Sequence, residues 1–202
     1  MRYRKWFPAV VFLVGVLAPA ISSVHAQAIT SFDPPGSIAT FPQSINPAGE
    51  ITGWYYDSTG THGFVRDRRG AFSSFDVPPP IPIPHSTRTQ PWSINPAGEI
   101  TGFYSVFGGS NHGFVRDRRG TFTTFAPPGE IFATSINPAG EITGSYTGAG
   151  PTQGFVRDRR GTFTTFDVPG SFETFATSIN PAGEITGSYI GGGTSHGFVR
   201  GR

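Results

Sequence analysis

The chain has 202 residues, no cysteine and a formal net charge of +2. Three of its 15 basic residues lie within residues 1–26, and the remainder holds 12 Arg against 13 acidic residues. The lack of cysteine excludes disulfides. A chain without an excess of basic residues lacks the charge pattern of nucleic-acid binders, so we expect no nucleic-acid partner.

Residues 1–26 have the anatomy of a secretory signal peptide. They begin with three basic residues, continue with an apolar stretch over 6–21 and end in small residues that place a cleavage site after Ala26. The alternative is an uncleaved anchor, but the stretch is shorter than the roughly 20 residues that a membrane span needs. The sequence predicts a secreted or periplasmic protein with no membrane span after cleavage.

The composition of residues 27–202 predicts a single all-β domain. This part contains no Leu, Met or Lys, which are strong helix formers. It is rich in Phe, Tyr, Thr, Ile and Val, which suit pleated sheets, and Gly and Pro punctuate it. Without disulfides, its stability has to come from burial of aromatic and β-branched side chains.

The decapeptide SINPAGEITG occurs four times, 42 to 49 residues apart, and each copy is followed by GFVR. Such periods are typical of propellers and solenoids. Each full module predicts four short strands, A to D, of which B contains EITG, C contains GFVR and D is Phe-rich. Asn or Asp at the first position and Gly at the fourth of the NPAG and DRRG segments predict type I turns with a left-handed Gly. Four antiparallel strands in about 42 residues match a propeller blade.

The modules therefore predict a four-bladed β-propeller, with blades at about 37–76, 89–126, 132–168 and 174–202. Adjacent Phe and Val in GFVR point to opposite faces, which suits a sheet packed between two others. The last module ends after strand C, whereas residues 28–36 align with strand D. We expect this N-terminal strand to pair with the last blade, which closes the ring and removes two exposed edges. An open stack of hairpins is the alternative.

These motifs resemble the bacterial extracellular repeat proteins that carry a His-Ala-Phe signature, the HAF repeats. The triplet here reads His-Gly-Phe from His62, His112 and His196, and Gln153 replaces the histidine in the third module. Gly stands in place of the middle Ala in every module. The resemblance spans nearly all of residues 27–202. It implies a β-propeller-like fold and export, and it implies no catalytic residues.

The loops that differ between modules carry the candidate ligand site. In an up-and-down blade the NPAG and DRRG turns share one face, and the variable B–C and D–A connections, including the Pro-rich segment 77–92, share the other. Binding residues concentrate on such loops. Aromatic side chains there suit stacking on a sugar, and covering the ends of the core is their alternative role. The candidate ligand-binding residues are Trp54, Tyr56, Asp57, Trp92, Phe103 and Phe107.

The polar residues that recur in every module indicate structural roles, so the sequence predicts no metal site and no cofactor. The histidines lie on strand C, about 9.5 Å outward from strand A, which separates them too widely for shared metal bonds of about 2 Å. We expect them to bond across the mouths of their loops. Each Asn of the NPAG turns is expected to cap its own turn, with an ion on the axis as the alternative. The Arg and Glu of neighbouring turns are expected to form weak ion pairs.

Three functions remain open at this point. The first is a binding or scaffold module for a carbohydrate or protein ligand on the variable-loop face. The second is a hydrolase or lyase acting on an extracellular polymer, with acids such as Asp57 and Glu130 in the cleft. The third is a repeat protein without a separate activity. No nucleophile elbow or P-loop is found in the sequence, no catalytic residue is assigned, and a propeller fold selects none of the three functions.

Overall fold

The computed structural model describes residues 28–79, 87–106 and 109–202. The chain divides into two compact units, Met1–Phe32 and Asp33–Arg202. Only the C-terminal end of the first unit is described, and it carries no strand. The predicted signal peptide therefore lies outside the described residues. All the strands named below belong to the second unit.

Within the described ranges, four antiparallel sheets follow one another along the chain, and in each sheet the strands lie side by side in sequence order. Sheets 1, 2 and 3 have four strands each, and sheet 4 has three. Sheet 1 contains β1 (Ala39–Ile45), β2 (Ile51–Tyr56), β3 (Thr61–Arg66) and β4 (Phe72–Phe75); sheet 2 contains β5 (Thr87–Ile94), β6 (Ile100–Val106), β7 (His112–Arg116) and β8 (Phe122–Phe125); sheet 3 contains β9 (Glu130–Ile136), β10 (Ile142–Thr147), β11 (Gln153–Arg157) and β12 (Phe163–Phe166); sheet 4 contains β13 (Glu173–Ile179), β14 (Ile185–Gly191) and β15 (Thr194–Arg200).

The all-β prediction is confirmed, and each sheet corresponds to one sequence module. The turns have the predicted geometry. For example, the backbone N–H of Gly49 donates to the carbonyl of Asn46 at 2.9 Å, and Gly49 has a φ of 78°, which glycine adopts without strain. In the described part of the chain, no helix has the length and hydropathy of a membrane span.

Successive sheets pack face to face, and the first strand of each sheet contacts the first strand of the next sheet. β1 contacts β5, β5 contacts β9, and β9 contacts β13. This arrangement agrees with the innermost position that strand A has in a propeller blade. The NPAG turns therefore lie at one end of the inner strands, and the variable connections lie at the other.

Three hydrophobic clusters fill the spaces between the sheets. Phe155 is fully buried in one cluster together with Ile142, whereas the adjacent Val156 packs against the next cluster, around Ile185 of sheet 4. This confirms the predicted division of Phe and Val between the two faces of strand C. Each middle sheet thus contributes apolar side chains to two cores.

The two ends of the series of sheets are exposed. Ile45 in sheet 1 is 65% exposed, whereas the equivalent isoleucines of the other three sheets are 6 or 7% exposed. Val199 in sheet 4 is 76% exposed. No strand is assigned to residues 28–36, and sheet 4 ends at its third strand. The predicted strand pairing that would close a four-bladed ring is therefore not confirmed.

A β-bulge interrupts the first strand of every sheet, opposite the glycine of the ITG segment. In sheet 3 a Cβ atom on Gly144 would lie 2.0 Å from the carbonyl oxygen of Phe132. The equivalent distances at Gly53, Gly102 and Gly187 are 2.0 to 2.2 Å. The backbones approach so closely here that only glycine fits at this position of strand B.

Candidate functional site

Sheet 1 carries an aromatic stack on its two innermost strands. Phe41 on β1 lies directly opposite Trp54 on β2, and their ring centroids are 3.9 Å apart at an interplanar angle of 16°. Tyr56 lies 6.1 Å from Phe41, again in a stacked orientation. Phe41 and Tyr56 are 37% and 39% exposed. Cross-strand pairing fixes these rings, and it brings two predicted ligand-binding residues together on Phe41, which the loop-based prediction did not include.

A second aromatic group joins sheets 2 and 3. Trp92 and Phe103 stack with centroids 6.0 Å apart, and Phe103 meets the edge of Phe132 at 5.1 Å. Phe103 is 7% exposed, so it belongs to the core, whereas Trp92 at the bulge of β5 is 36% exposed. The remaining aromatic candidate, Phe107, lies outside the described residues.

The side chain at the Trp54 position differs between the modules. Phe103 occupies this position in sheet 2, and Ser145 and Ser188 occupy it in sheets 3 and 4. The indole Nε1 of Trp54 is buried and has no hydrogen-bond partner in the part of the chain that the structure describes, although an unmade buried hydrogen bond is costly. At this position sheet 1 therefore carries an indole whose N–H is unpaired among the described residues, where the other sheets carry Phe or Ser.

Asp57 organises the loop that follows β2. Its Oδ1 accepts hydrogen bonds from the backbone N–H of Thr59 at 2.7 Å, from the Thr59 hydroxyl at 2.6 Å and from the N–H of Gly60 at 3.2 Å. Nε2 of His62 lies 3.3 Å away. The Thr59 hydroxyl, followed by the Thr59 N–H, lowers the pKa of Asp57 to about 2, because these donors favour the ionised form. Asp57 is thus an ionised carboxylate that holds its own loop.

Replacement of Thr59 by Val removes the hydroxyl donor, and we expect the pKa of Asp57 to rise towards its ordinary value of 3.8. Because the pKa is lowered in the folded state, Asp57 contributes stability above pH 3.8 that is lost as the pH falls towards 2. NMR titration of the Asp57 carboxyl carbon in both proteins measures this. An equal pKa in the wild type and the T59V variant would contradict the role given to the hydroxyl.

In sheet 1 the histidine of strand C bonds across the mouth of its loop, as predicted, whereas Nδ1 of His112 in sheet 2 is buried and has no hydrogen-bond partner among the described residues. Nδ1 of His62 lies 2.9 Å from Oδ2 of Asp76, and Nε2 lies 2.9 Å from the hydroxyl of Thr59. In the third module, Nε2 of Gln153 donates to Oδ2 of Asp167 at 2.6 Å. Gln therefore makes the same contact to the end of strand D that His makes in sheet 1.

The Asn of each NPAG turn makes two kinds of hydrogen bond. Oδ1 of Asn46 accepts the backbone N–H groups of Ala48 and Glu50, each at 3.0 Å, which confirms the predicted turn cap. Nδ2 of Asn46 donates to Oε2 of Glu50 at 2.7 Å and to the carbonyl of Asn95 in the next sheet at 3.3 Å. Asn95 and Asn137 each make the equivalent bond to the sheet that follows. These residues therefore form a relay along the inner ends of the four sheets.

Exposed ion pairs accompany this relay on the face of the turns. In each pair an Arg of one sheet reaches back to a Glu of the preceding sheet. The pairs are Arg118–Glu50 at 3.9 Å, Arg159–Glu99 at 3.5 Å and Arg202–Glu141 at 3.4 Å. The Arg side chains are 71 to 76% exposed, so we expect each pair to contribute about 0–1 kcal/mol.

Two cavities lie away from the aromatic stack of sheet 1. One of about 310 Å³ lies between sheets 2 and 3 on the face of the turns, and its lining includes Asp117 and Arg157. The other, of about 360 Å³, is lined by Tyr146 and Asp167 on the variable-loop face of sheet 3. Neither cavity is lined by a predicted ligand-binding residue, so the sequence did not indicate them.

The two carboxylates of the enzyme hypothesis belong to different sheets. Asp57 follows β2 in sheet 1, whereas Glu130 begins β9 in sheet 3. Asp57 is also committed to the hydrogen bonds of its own loop. The structure thus offers no shared pocket for this pair among the cavities described above.

Comparison with known proteins identifies the type of fold. No protein-family model matches the chain, and no curated protein sequence matches it either. The chain is similar to TolB from Acinetobacter baumannii at 17% sequence identity, with a TM-score of 0.58 over 90% of this chain and 44% of TolB. It is similar to a streptogramin B lyase at 15% identity, with a TM-score of 0.50 over 81% of this chain and 55% of the lyase.

Both similar structures are β-propeller proteins, so the four sheets have a propeller-type arrangement. At these identities the likeness describes the fold alone. The chain spans about half the length of the structures that it matches.

Proposed function

We propose that the protein is an exported binding module that holds a carbohydrate ligand against the aromatic stack of sheet 1. The observation that carries this proposal is the pair of partly open rings, Phe41 and Tyr56, held beside Trp54. The apolar face of a sugar ring packs on an exposed aromatic face, and the polar tip of a tyrosine adds a hydrogen-bonding group. A protein ligand is the alternative occupant of the same surface.

The scaffold favours binding because the rings stand on paired strands rather than on a free loop. Phe41 and Trp54 are cross-strand partners in a four-stranded sheet, so little side-chain freedom is lost when a ligand packs against them. The adjacent loop is held by Asp57 through Thr59 and Gly60. Rigid aromatic groups beside an ordered polar loop are a common composition for a small-ligand site.

Export forms part of the proposal. It is supported by the signal-peptide pattern of residues 1–26 and by the resemblance of the modules to the extracellular HAF repeats. A complete propeller ring, formed within one chain or together with a second copy, is also part of the proposal, because it would cover the exposed faces at both ends of the series of sheets. No observation favours the hydrolase or lyase alternative over binding.

Binding to an array of oligosaccharides, followed by calorimetry on the best ligand, tests the proposed function. We expect the W54A and Y56A variants to weaken binding at least tenfold, which corresponds to about 1.4 kcal/mol. The matched control is Phe172→Ala, because Phe172 is 67% exposed but lies outside the stack. Absence of binding to any glycan, or equal loss in the control, would contradict the carbohydrate proposal.

A further inference from the structure

The three junctions between successive sheets use the same set of contacts. At the first junction the hydroxyl of Ser44 accepts the backbone N–H of Ile94 at 3.3 Å, and Glu50 faces Arg118. The bond from the isoleucine N–H to the serine hydroxyl recurs at the other two junctions, also at 3.3 Å. Together with the Asn relay and the hydrophobic clusters, these contacts define a surface on the leading sheet and a complementary surface on the following sheet.

Sheet 4 exposes the leading-sheet half of this junction. Thr186 and Asn180 are exposed, whereas the threonines equivalent to Thr186 in the other sheets are 0% exposed. Val199 is 76% exposed, although the equivalent valines pack against the next cluster. A cavity of about 240 Å³ opens on this face and is lined by Ser178, Asn180, Glu184 and Val199, among others. We call this surface the tail face.

Sheet 1 exposes the following-sheet half, which we call the head face. Ile45 is 65% exposed, against 6 or 7% for its three equivalents. Arg68 stands where Arg118 stands in sheet 2, but in the part of the chain that the structure describes no carboxylate pairs with it. Ile45 likewise lacks the serine acceptor that each of its equivalents has within the described ranges.

We propose that the tail face of one chain binds the head face of a second copy of this chain. The contacts follow the internal junctions: Ser178 would accept the N–H of Ile45 of the second copy, and Glu184 would pair with its Arg68. Val199 would pack beside the exposed isoleucine. The two faces are complementary in shape and charge because the chain already joins them three times within itself.

A second copy fits this surface better than the chain's own other end. The tail and head faces are exposed at the same time in one chain, so four sheets do not bring the ends together. The same sheets match only 44% of TolB at a TM-score of 0.58, which indicates the curvature of part of a larger ring. Two copies joined head to tail at both ends give a closed assembly, which buries both apolar faces and leaves no edge for further growth.

The test is the mass of the purified protein in solution, measured by sedimentation velocity over a hundredfold range of concentration. The expected mass is that of two chains. V199D and I45D place a carboxylate in the proposed contact, and each is expected to give single chains with an unchanged circular dichroism spectrum. Phe172→Asp is the matched control, because it puts the same charge on an exposed apolar residue outside both faces, and it should remain dimeric.

A charge exchange tests the register of the contact. We expect E184R and R68E to weaken dimerisation when each is made alone, and to restore it at least threefold when both are combined in one chain. Single chains at every concentration would overturn the proposal and would favour closure by residues 28–36 of the same chain. A dimer that V199D leaves intact would also overturn it. The substituted residues lie outside the aromatic stack. Whether the protein binds a glycan is therefore a separate question, and its answer does not affect this test of dimerisation.

Discussion

Replacement of Gly144 by Val is expected to destabilise the protein by about 3 kcal/mol, at the upper end of the cost of overpacking. A Cβ atom at this position would lie 2.0 Å from the carbonyl oxygen of Phe132 and 2.9 Å from the ring of Phe155. The first neighbour is backbone, so it cannot move without a shift of β9 and the loss of its bulge. The free energy of unfolding, measured by denaturation in urea, checks the prediction.

The control for this substitution is the neighbouring residue. Ser145 is 7% exposed, and its position holds Trp or Phe in sheets 1 and 2, so the site tolerates different side chains. We expect Ser145→Ala to change the free energy of unfolding by less than about 1 kcal/mol. If Gly144→Val and Ser145→Ala lowered the free energy of unfolding equally, the close approach of the bulge to Gly144 would be contradicted.

Replacement of Gly113 by Ala is expected to cost about 2 kcal/mol through overpacking. A Cβ atom here would lie 2.1 Å from the ring of Phe125 on the adjacent β8, because the glycine of GFVR makes room for the last phenylalanine of strand D. The ring is packed against Phe155 of the next sheet at 6.3 Å, which limits its retreat. Thermal and urea unfolding of the variant measure the loss.

Gly197→Ala provides a matched comparison, because Gly197 holds the same module position in sheet 4. The nearest atom to a Cβ there is the carbonyl oxygen of Gly187 at 3.9 Å, and among the described residues no fourth strand covers β15. We expect this variant to be neutral or more stable by about 0.5 kcal/mol, because alanine restricts the unfolded chain. A loss as large as that at Gly113 would reveal that a strand covers β15 in solution.

Repetition made the strands and turns predictable from the sequence. Four copies of one pattern identify Gly49 and its equivalents as left-handed turn residues, and they place Phe155 and Val156 on opposite faces. Each of these features depends on residues a few positions apart. Local chemistry therefore determined them, and the structure agrees.

The features that the sequence did not indicate depend on partners far along the chain. Phe41 belongs to the aromatic stack because the register of β1 on β2 places it opposite Trp54. It was not among the predicted ligand-binding residues because those were taken from the variable loops. Phe103 was predicted to bind ligand, but Phe132 of the next sheet covers it. The pairing of residues 28–36 with the last sheet was inferred from alignment alone. Whether the two ends of the chain meet depends on the angle between successive sheets, which the sequence of a single module does not determine.

The hydrogen bonds of the Asn relay all run in the same direction, because the side chain of Asn in one sheet donates to the carbonyl of Asn in the following sheet. The Ser–Ile, Asn and Arg–Glu contacts are the same at each junction, so they do not distinguish one position in the series from another. A gene that gained or lost one module in frame would therefore produce a protein whose remaining junctions need no adjustment. Length in such a molecule can vary by duplication during evolution, while selection acts on the few side chains, such as Trp54, that make one module unlike the rest.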